Sequence, residues 1–239
     1  MKNLLLVEGK DDVYAVSELL RKRGLTQLRV PGDKAIRPLK LLFGRIPLDI
    51  MPMDDAARVI GKFRATLKNE SNPLKAIGLI LDFDAPNEEQ ANERDNAVRN
   101  EIVHLQKKRR RWHLEEDFKI ISPKGFIAEP VDVDTPRVGA WLMPDNQNRG
   151  MLETFLQRLI PEKQSKLLEH SQNSTDKAKN EYAAPFKPVH QEKAVVHTFL
   201  AWMDEPGAPF GTSFQNGSFD AKSALANKFV EWMQKLFRD

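Results

Sequence analysis

Two short apolar runs, each followed directly by a carboxylate residue, constrain the fold of this 239-residue chain most. Residues 4–7 lead into Glu8, and residues 76–81 lead into Asp82. Such short runs without polar alternation are typical of strands that are buried on both faces, as in a parallel sheet. In open α/β sheets, the carboxyl ends of the strands form the edge where ligands bind. The two runs therefore predict two inner strands that carry acids at one functional edge.

Helical patterns fill most of the sequence around these runs. After Gly9, apolar residues recur at helical spacing up to Leu20, and Gly24 follows as a C-cap. Further strands are predicted at residues 28–30, 118–121 and 138–143, and further helices at residues 55–69, 87–111, 151–168, 189–203 and 218–237. Residues 33–52 contain three prolines and predict irregular structure, whereas the polar residues 170–179 predict a linker.

This order of elements predicts the fold class and the domain organisation. Buried strands that alternate with amphipathic helices indicate an α/β fold with a mostly parallel central sheet. We expect residues 1–169 to form the α/β core and residues 170–239 to form a helical extension packed on it. The pattern leaves open whether the extension is a separate small unit or part of a single domain.

Composition excludes several classes of protein. Hydrophobic residues make up 41% and charged residues 30% of the chain, which is typical of a globular domain and not of a disordered one. The chain has no cysteine, which excludes disulfides, thiolate zinc sites and cysteine nucleophiles and suits a reducing cytoplasm. The first apolar run is too short for a signal peptide or a membrane span. We therefore expect a soluble cytoplasmic protein without a membrane partner.

The acids that follow the two strands have the spacing of a metal site. Asp12 lies four residues after Glu8, near the start of the predicted helix, so both carboxylates face the same edge. Asp82 and Asp84 are two residues apart in an extended segment, and such residues point to the same side. Oxygen-only ligands select hard cations, so the sequence predicts a site for Mg²⁺ or Mn²⁺.

These two motifs resemble the topoisomerase–primase (Toprim) domain, in which an acid after one strand combines with an Asp-x-Asp after a later one. The segment Leu-Leu-Val-Glu-Gly-Lys-Asp-Asp at residues 5–12 is especially similar to the Toprim domains of OLD-type (overcoming lysogenization defect) nucleases. Several later segments resemble a small family with Toprim-like cores, at residues 141–146, 150–153, 200–202, 206–207 and 211. The resemblance covers nearly the whole chain and implies a Rossmann-like Toprim core.

The resemblance also implies a function and its residues. It implies a divalent-metal-dependent phosphodiester hydrolase, a nuclease, with Mg²⁺ or Mn²⁺ as the cofactor. Catalytic roles fall on the matched acids and on a lysine that stabilises transition-state charge: Glu8, Asp82, Asp84 and Lys193. The implied metal ligands include the additional acids of the nuclease branch: Glu8, Asp12, Asp82, Asp84, Asp145 and Glu153.

A run of five basic residues is the main candidate for contact with nucleic acid. It is followed by Trp112 and comprises Lys107, Lys108, Arg109, Arg110 and Arg111. Such a run can follow a phosphate backbone while the aromatic ring stacks on a base. The structural alternative is the solvated end of a helix, where cations are favoured. The net charge of +3 permits a polyanionic partner without requiring one.

Other interpretations of the sequence remain open. One is a non-catalytic Toprim-like module that binds nucleic acid or partners a separate ATPase, because the chain has no phosphate-binding loop of its own. Another is a haloacid dehalogenase-like phosphatase with Asp82 as the nucleophile, although Ala85-Pro86 follows the motif and Glu8 has no role in it. A homo-oligomer is equally open. His197 lies in an apolar run and is expected to be a core histidine.

Overall fold

Eight strands form a single sheet in the part of the chain that the structure, a computed structural model, describes. The described residues are 1–28, 39–68, 74–83, 96–104, 106, 112–115 and 118–238. The strands are β1 (Lys2–Val7), β2 (Thr26–Leu28), β3 (Leu39–Phe43), β4 (Ile46–Pro52), β5 (Leu74–Asp82), β6 (Trp112–His113), β7 (Phe126–Pro130) and β8 (Arg137–Met143). Their order across the sheet is β2-β3-β4-β1-β5-β8-β7-β6.

Helices cover both faces of this sheet. They are α1 (Lys10–Lys22), α2 (Ala56–Lys68), α3 (residues 96–104), α4 (Leu152–Gln157), α5 (Ser165–Glu181), α6 (Gln191–Leu200), α7 (Phe210–Gln215) and α8 (Ala224–Leu236). None of these described helices is both long enough and apolar enough to cross a membrane.

The sheet is parallel at its centre and antiparallel towards its edges. The pairs β4–β1, β1–β5 and β5–β8 are parallel, whereas β3 and β7 run antiparallel to their neighbours. Six of the eight described strands consequently run in one direction. The predicted α/β class with a mostly parallel central sheet is confirmed.

The inner strands are apolar because both of their faces are buried. Along β1, Leu5 and Val7 pack into one hydrophobic cluster with α1, α4 and the C-terminal helices α6–α8. Leu4 and Leu6 face the opposite cluster, which contains Phe63 of α2 and the buried side chains of α3. Alternate side chains of one strand therefore pack in two hydrophobic cores, one on each face of the sheet. For this reason the strand's sequence does not alternate between apolar and polar residues.

Two regions of the sheet differ from the sequence prediction. The residues expected to be irregular, 33–52, contain the antiparallel hairpin of β3 and β4, with Phe43 paired to Ile46. The strand predicted at residues 118–121 is absent, and residues 126–130 form β7 instead. The strand predicted at residues 138–143 is confirmed as β8, and the described residues 96–104 of the helix predicted at 87–111 are helical.

The structure of the C-terminal region also differs from the sequence prediction. The expected linker at residues 170–179 is wrong, because these residues lie inside the regular helix α5. The helix expected at residues 151–168 stops at Gln157, and a new helix begins at Ser165. The expected domain boundary after residue 169 falls within α5. Beyond it, Leu236 of α8 reaches the sheet, with its side chain against Gly78 and Gly139 of the strands β5 and β8.

Candidate metal centre

Glu8 and Asp82 meet at the carboxyl edge of the sheet. β1 and β5 are parallel neighbours, with Leu6 opposite Leu79, so their ends lie side by side. The backbone N of Asp82 donates a hydrogen bond of 2.8 Å to Oε1 of Glu8, and both residues are half-buried. The structure thus brings together two acids that are 74 residues apart in the chain. Their role as metal ligands remains a prediction.

Asp82 also holds the start of α4. Its Oδ1 accepts a hydrogen bond of 3.0 Å from the N of Leu152, the first residue of that helix. Beside it, Phe83 and Gly150 form a backbone bridge with N···O distances of 2.8 and 3.2 Å. The first amides of a helix lack partners within the helix and favour a nearby carboxylate. These bonds fix the segment after β8 against the end of β5 and place Glu153 beside the site.

Two substitutions of Asp82 distinguish the contribution of this hydrogen bond to stability from the contribution of the carboxylate charge. Asp82→Asn keeps an oxygen that can accept from Leu152, so its free energy of unfolding is expected to stay within about 0.5 kcal/mol of the wild type. Asp82→Ala removes the acceptor and is expected to lower that free energy by about 1 kcal/mol. Urea unfolding followed by circular dichroism measures both, and equal stabilities of the two variants would contradict the capping role.

Asp12 is a buried acid of the cluster whose pKa is raised. It is 7% exposed, and its Oδ2 accepts a hydrogen bond of 2.9 Å from the N of Gly9, the residue that precedes α1. The pKa of Asp12 is raised to about 7, chiefly by burial; the Gly9 hydrogen bond lowers it, and the negative charges of Glu8 and Glu153 contribute to the rise. The pKa rises mainly because burial removes water from the charged carboxylate, and the neighbouring negative charges disfavour its ionisation further.

Lys193 reaches this cluster from the N-terminal turn of α6. Its Nζ lies 3.5 Å from Oε1 of Glu153 and 3.7 Å from Oδ2 of Asp11. The Glu153 side chain is 8% exposed and that of Lys193 is 46% exposed, so the ammonium group stands between the buried acid and solvent. The expectation that a lysine from the C-terminal region would lie beside the acids is supported in position, and its catalytic role remains a prediction.

The acids at this edge are the type of ligand that binds a hard cation, although the described residues alone do not form a complete metal site. Among them, no group of three or more His, Cys, Asp or Glu side chains is arranged to hold a metal ion. Asp84, the second acid of the Asp-x-Asp motif, lies outside the described residues. Every acid at this edge would offer carboxylate oxygen, which is the ligand type that Mg²⁺ and Mn²⁺ take. The candidate centre therefore consists of Glu8, Asp12, Asp82 and Glu153, with Asp84 as a further predicted ligand.

Asp145, also expected near the metal, is committed to a turn of its own. Its Oδ1 accepts hydrogen bonds from the N atoms of Gln147 and Asn148, and its Oδ2 pairs with Arg158 at 2.5 Å. Burial raises the pKa of Asp145, but these bonds outweigh it and hold the value below the ordinary one. Because both carboxylate oxygens have such partners, Asp145 is not part of the candidate centre.

The basic run, His197 and Asp11 lie apart from the acids of the candidate centre in what the sequence predicted for them. The basic run Lys107–Arg111 lies outside the described residues, so its contact with nucleic acid stays a prediction. The expectation of a core histidine is wrong, because His197 is exposed and stacks on Phe210. Asp11 received no role from the sequence, yet it pairs with Lys193. Its position in the first turn of α1, next to the predicted ligand Asp12, is the sequence signal that could have indicated it.

One solved structure has a similar fold. The crystal structure of the hypothetical protein PH0156 from Pyrococcus horikoshii OT3 matches with a TM-score of 0.52 at 14% sequence identity, and the match covers 99% of this chain and 95% of that one. At this identity, the likeness concerns the fold alone. No curated protein matches the chain.

A family model also matches the sequence, over nearly its full length. The family is described as "Protein of unknown function (DUF3226)", and the match extends over residues 2–238. The match includes the strands that carry the acids and the C-terminal helices that cover them. This protein therefore belongs to the DUF3226 family.

Proposed function

We propose that this protein is a divalent-metal-dependent phosphodiester hydrolase, and that it acts as a nuclease. The observation that carries the proposal is the convergence of acids from separate elements on one sheet edge. Glu8 contacts the backbone of Asp82, and the charge of Glu8 acts on the buried Asp12. Buried carboxylates that repel one another cost free energy unless a cation offsets the repulsion. A hard divalent cation at this edge would provide that offset.

Each residue of the site has a proposed task. Glu8, Asp12 and Asp82 would hold the ion, together with Asp84, which the Toprim resemblance implies. Bound Mg²⁺ or Mn²⁺ would neutralise charge on the nonbridging phosphate oxygens and acidify a water molecule. Glu8 is also the candidate for the base that accepts a proton from the attacking water. Lys193, whose ammonium group lies 3.5 Å from Glu153, would stabilise negative charge that develops on the phosphate.

A second candidate function is a non-catalytic module that binds nucleic acid or partners a separate ATPase. The observation that favours it is that the described residues contain no group of three side chains arranged for a metal. Such a module would bind nucleic acid without cleaving it, and its affinity would not depend on Glu8. The two candidates therefore differ in one measurable property, metal-dependent cleavage that requires the acids.

The experiment that tests the proposal measures cleavage of plasmid DNA, single-stranded DNA and single-stranded RNA with Mg²⁺, with Mn²⁺ and with EDTA. We expect cleavage with either metal and none with EDTA. Glu8→Gln removes the charge but keeps the shape of the side chain, and it is expected to lower the rate by about 100-fold or more. The matched control is Glu169→Gln, an exposed glutamate of α5, which is expected to cleave at the wild-type rate.

Three outcomes would contradict the proposal. Cleavage that persists at the same rate in Glu8→Gln would assign the activity to a contaminating nuclease or to a different site. Metal-independent binding without cleavage, unchanged in Glu8→Gln, would favour the non-catalytic module. Hydrolysis of small phosphate monoesters, with a phosphate mimic trapped on Asp82, would instead favour a haloacid dehalogenase-like phosphatase.

A further inference from the structure

A cavity of about 270 Å³ lies among the C-terminal helices, beyond the end of α6. Its walls come from the residue before α5, from the connection between α6 and α7, and from α7 with the residues that follow it. Cavities that hold drug-sized ligands measure about 300–1,000 Å³, so this one suits a smaller molecule. Among the residues that line it are Gln164, Trp202, Asp204, Glu205, Ser213 and Asn216, which we call the acidic cavity.

The charged groups of the acidic cavity are negative. Asp204 and Glu205 are adjacent and exposed, and in the described part of the chain no lysine, arginine or histidine lines the cavity. Among the described residues, neither carboxylate has an ion-pair or hydrogen-bond partner. The chain as a whole has a net charge of +3, so this local excess of negative charge is not a general property of its surface. The cavity therefore favours a cation.

The uncharged polar groups of the cavity include acceptors whose own donors are already used. The hydroxyl of Ser213 donates to the carbonyl oxygens of Ala208 and Pro209, at 3.2 and 3.0 Å, so its oxygen is left to accept. The amide nitrogen of Gln164 donates to the sulfur of Met203 at 3.7 Å, and its Oε1 is buried without a hydrogen-bond partner among the described residues. A ligand that donates hydrogen bonds would satisfy such an acceptor, which is unfavourable when it stays unpaired.

Trp202 adds an aromatic wall to the acidic cavity. Its side chain is 43% exposed, and His170 stacks on it with ring centroids 5.1 Å apart and an interplanar angle of 29°. His170 does not line the cavity, so the indole meets the cavity away from that ring. Guanidinium groups are planar, stack on aromatic faces, donate in pairs to carboxylates and are less strongly hydrated than ammonium groups. A guanidinium group therefore matches the combination of an indole, two carboxylates and unused acceptors.

We propose that the acidic cavity binds a small organic cation that carries a guanidinium group. This group would stack on Trp202 and donate hydrogen bonds to Asp204 and Glu205. The cavity lies at the opposite end of α6 from Lys193, and Lys193 and Leu200 are about 10 Å apart along the helix axis. The acidic cavity is thus separate from the acids of the candidate metal centre, and binding there does not depend on the proposed nuclease function.

The first test measures the affinity of the full-length protein for butylguanidine by isothermal titration calorimetry in EDTA. Butylurea has nearly the same shape without the positive charge, and butylamine has the charge without the planar group. We expect butylguanidine to bind about 10-fold more tightly than either of them, or better, because it alone combines a cation with a flat, paired set of donors.

Variants of the lining residues locate the binding site. Trp202→Ala is expected to weaken butylguanidine binding by about 2- to 30-fold, the range for loss of one cation–π contact, and Trp202→Phe to weaken it less. Asp204→Asn combined with Glu205→Gln is expected to weaken binding by about 10-fold or more, because both charged acceptors are lost. Two controls are expected to bind as the wild type does: Glu231→Gln, at an exposed glutamate of α8, and Glu8→Gln, at the candidate metal centre.

Any of four results would overturn this assignment. The first is the absence of detectable butylguanidine binding, and the second is an equal affinity for butylurea or butylamine. The third is butylguanidine binding that stays unchanged in Trp202→Ala and in the double variant of Asp204 and Glu205, which would place the ligand elsewhere on the protein. The fourth is binding of Mg²⁺ or Ca²⁺ that excludes butylguanidine and is lost in the double variant, which would assign the cavity to a metal ion.

Discussion

Replacing Trp232 with alanine is expected to lower the free energy of unfolding by about 3–5 kcal/mol. Its side chain in α8 is 1% exposed, lies against Trp141 with ring centroids 5.7 Å apart, and donates a hydrogen bond of 3.1 Å to the carbonyl oxygen of Phe126. The ring also covers Gly125, where a Cβ would lie 2.5 Å from it. Alanine leaves both a cavity and a buried carbonyl without this partner. Urea unfolding followed by circular dichroism measures the difference.

The matched control is Trp202→Ala. Trp202 follows α6, is 43% exposed and stacks on His170, so its loss is expected to change the free energy of unfolding by less than about 1 kcal/mol. The pair of variants also tests whether the chain has one core. A loss below about 1 kcal/mol for Trp232→Ala would mean that α8 contributes little to the sheet's stability, and residues 170–239 would then be a separable extension.

The inner strands and the first helices could be predicted, because the spacing of apolar residues within each segment indicates its secondary structure. Strands β1, β5 and β8 are apolar on both faces, and α1 and α2 follow helical spacing, with Gly24 after α1 and Asp55 at the start of α2. The hairpin of β3 and β4 was not predictable in the same way. Pro47 and Pro52 lie near the two ends of β4, where prolines normally indicate a break. The pairing of β4 with β1, which buries Leu48 and Ile50, is a tertiary interaction that no local pattern reveals.

Residues 170–179 of helix α5 had the pattern of a linker for a related reason. Its polar sequence buries only Ser171 and Thr175, so it carries no apolar stripe that could indicate a helix. Contacts with other helices support it instead, as in the 3.4 Å hydrogen bond between the hydroxyls of Thr175 and Thr198 in α6. A stretch of this kind resembles a linker until its neighbours are known.

Some residues of the candidate centre could also be placed from the sequence, and others could not. Glu8 and Asp82 could be predicted as neighbours, because the carboxyl ends of parallel strands meet at one edge of a sheet. The position of Lys193 depends on where α6 returns to the sheet, and the resemblance to a known family was its only sequence signal. For Asp145 the local sequence was informative, because Asp with Asn three residues later favours a turn that the Asp side chain caps.

Replacing Asp12 with asparagine is expected to stabilise the metal-free protein at pH 8 by up to about 4 kcal/mol. The pKa of Asp12 is about 7 in the folded protein, against an ordinary value of 3.8. Below pH 3.8 the carboxyl is protonated in both states and contributes nothing to the pH dependence. Between these values the folded state binds one more proton than the unfolded state, so stability falls as pH rises and stays low above pH 7. Asparagine cannot ionise and avoids this loss.

Thermal unfolding in EDTA between pH 4 and pH 8 measures this effect. We expect the melting temperature of Asp12→Asn to exceed that of the wild type at pH 8, with the gap closing towards pH 4. Asp11→Asn, at a side chain that is 55% exposed, is expected to show no such gap. Adding Mg²⁺ at pH 8 is expected to raise the melting temperature of the wild type more than that of Asp12→Asn, because a bound cation offsets the buried charge. An equal Mg²⁺ response in the two proteins would remove Asp12 from the metal site.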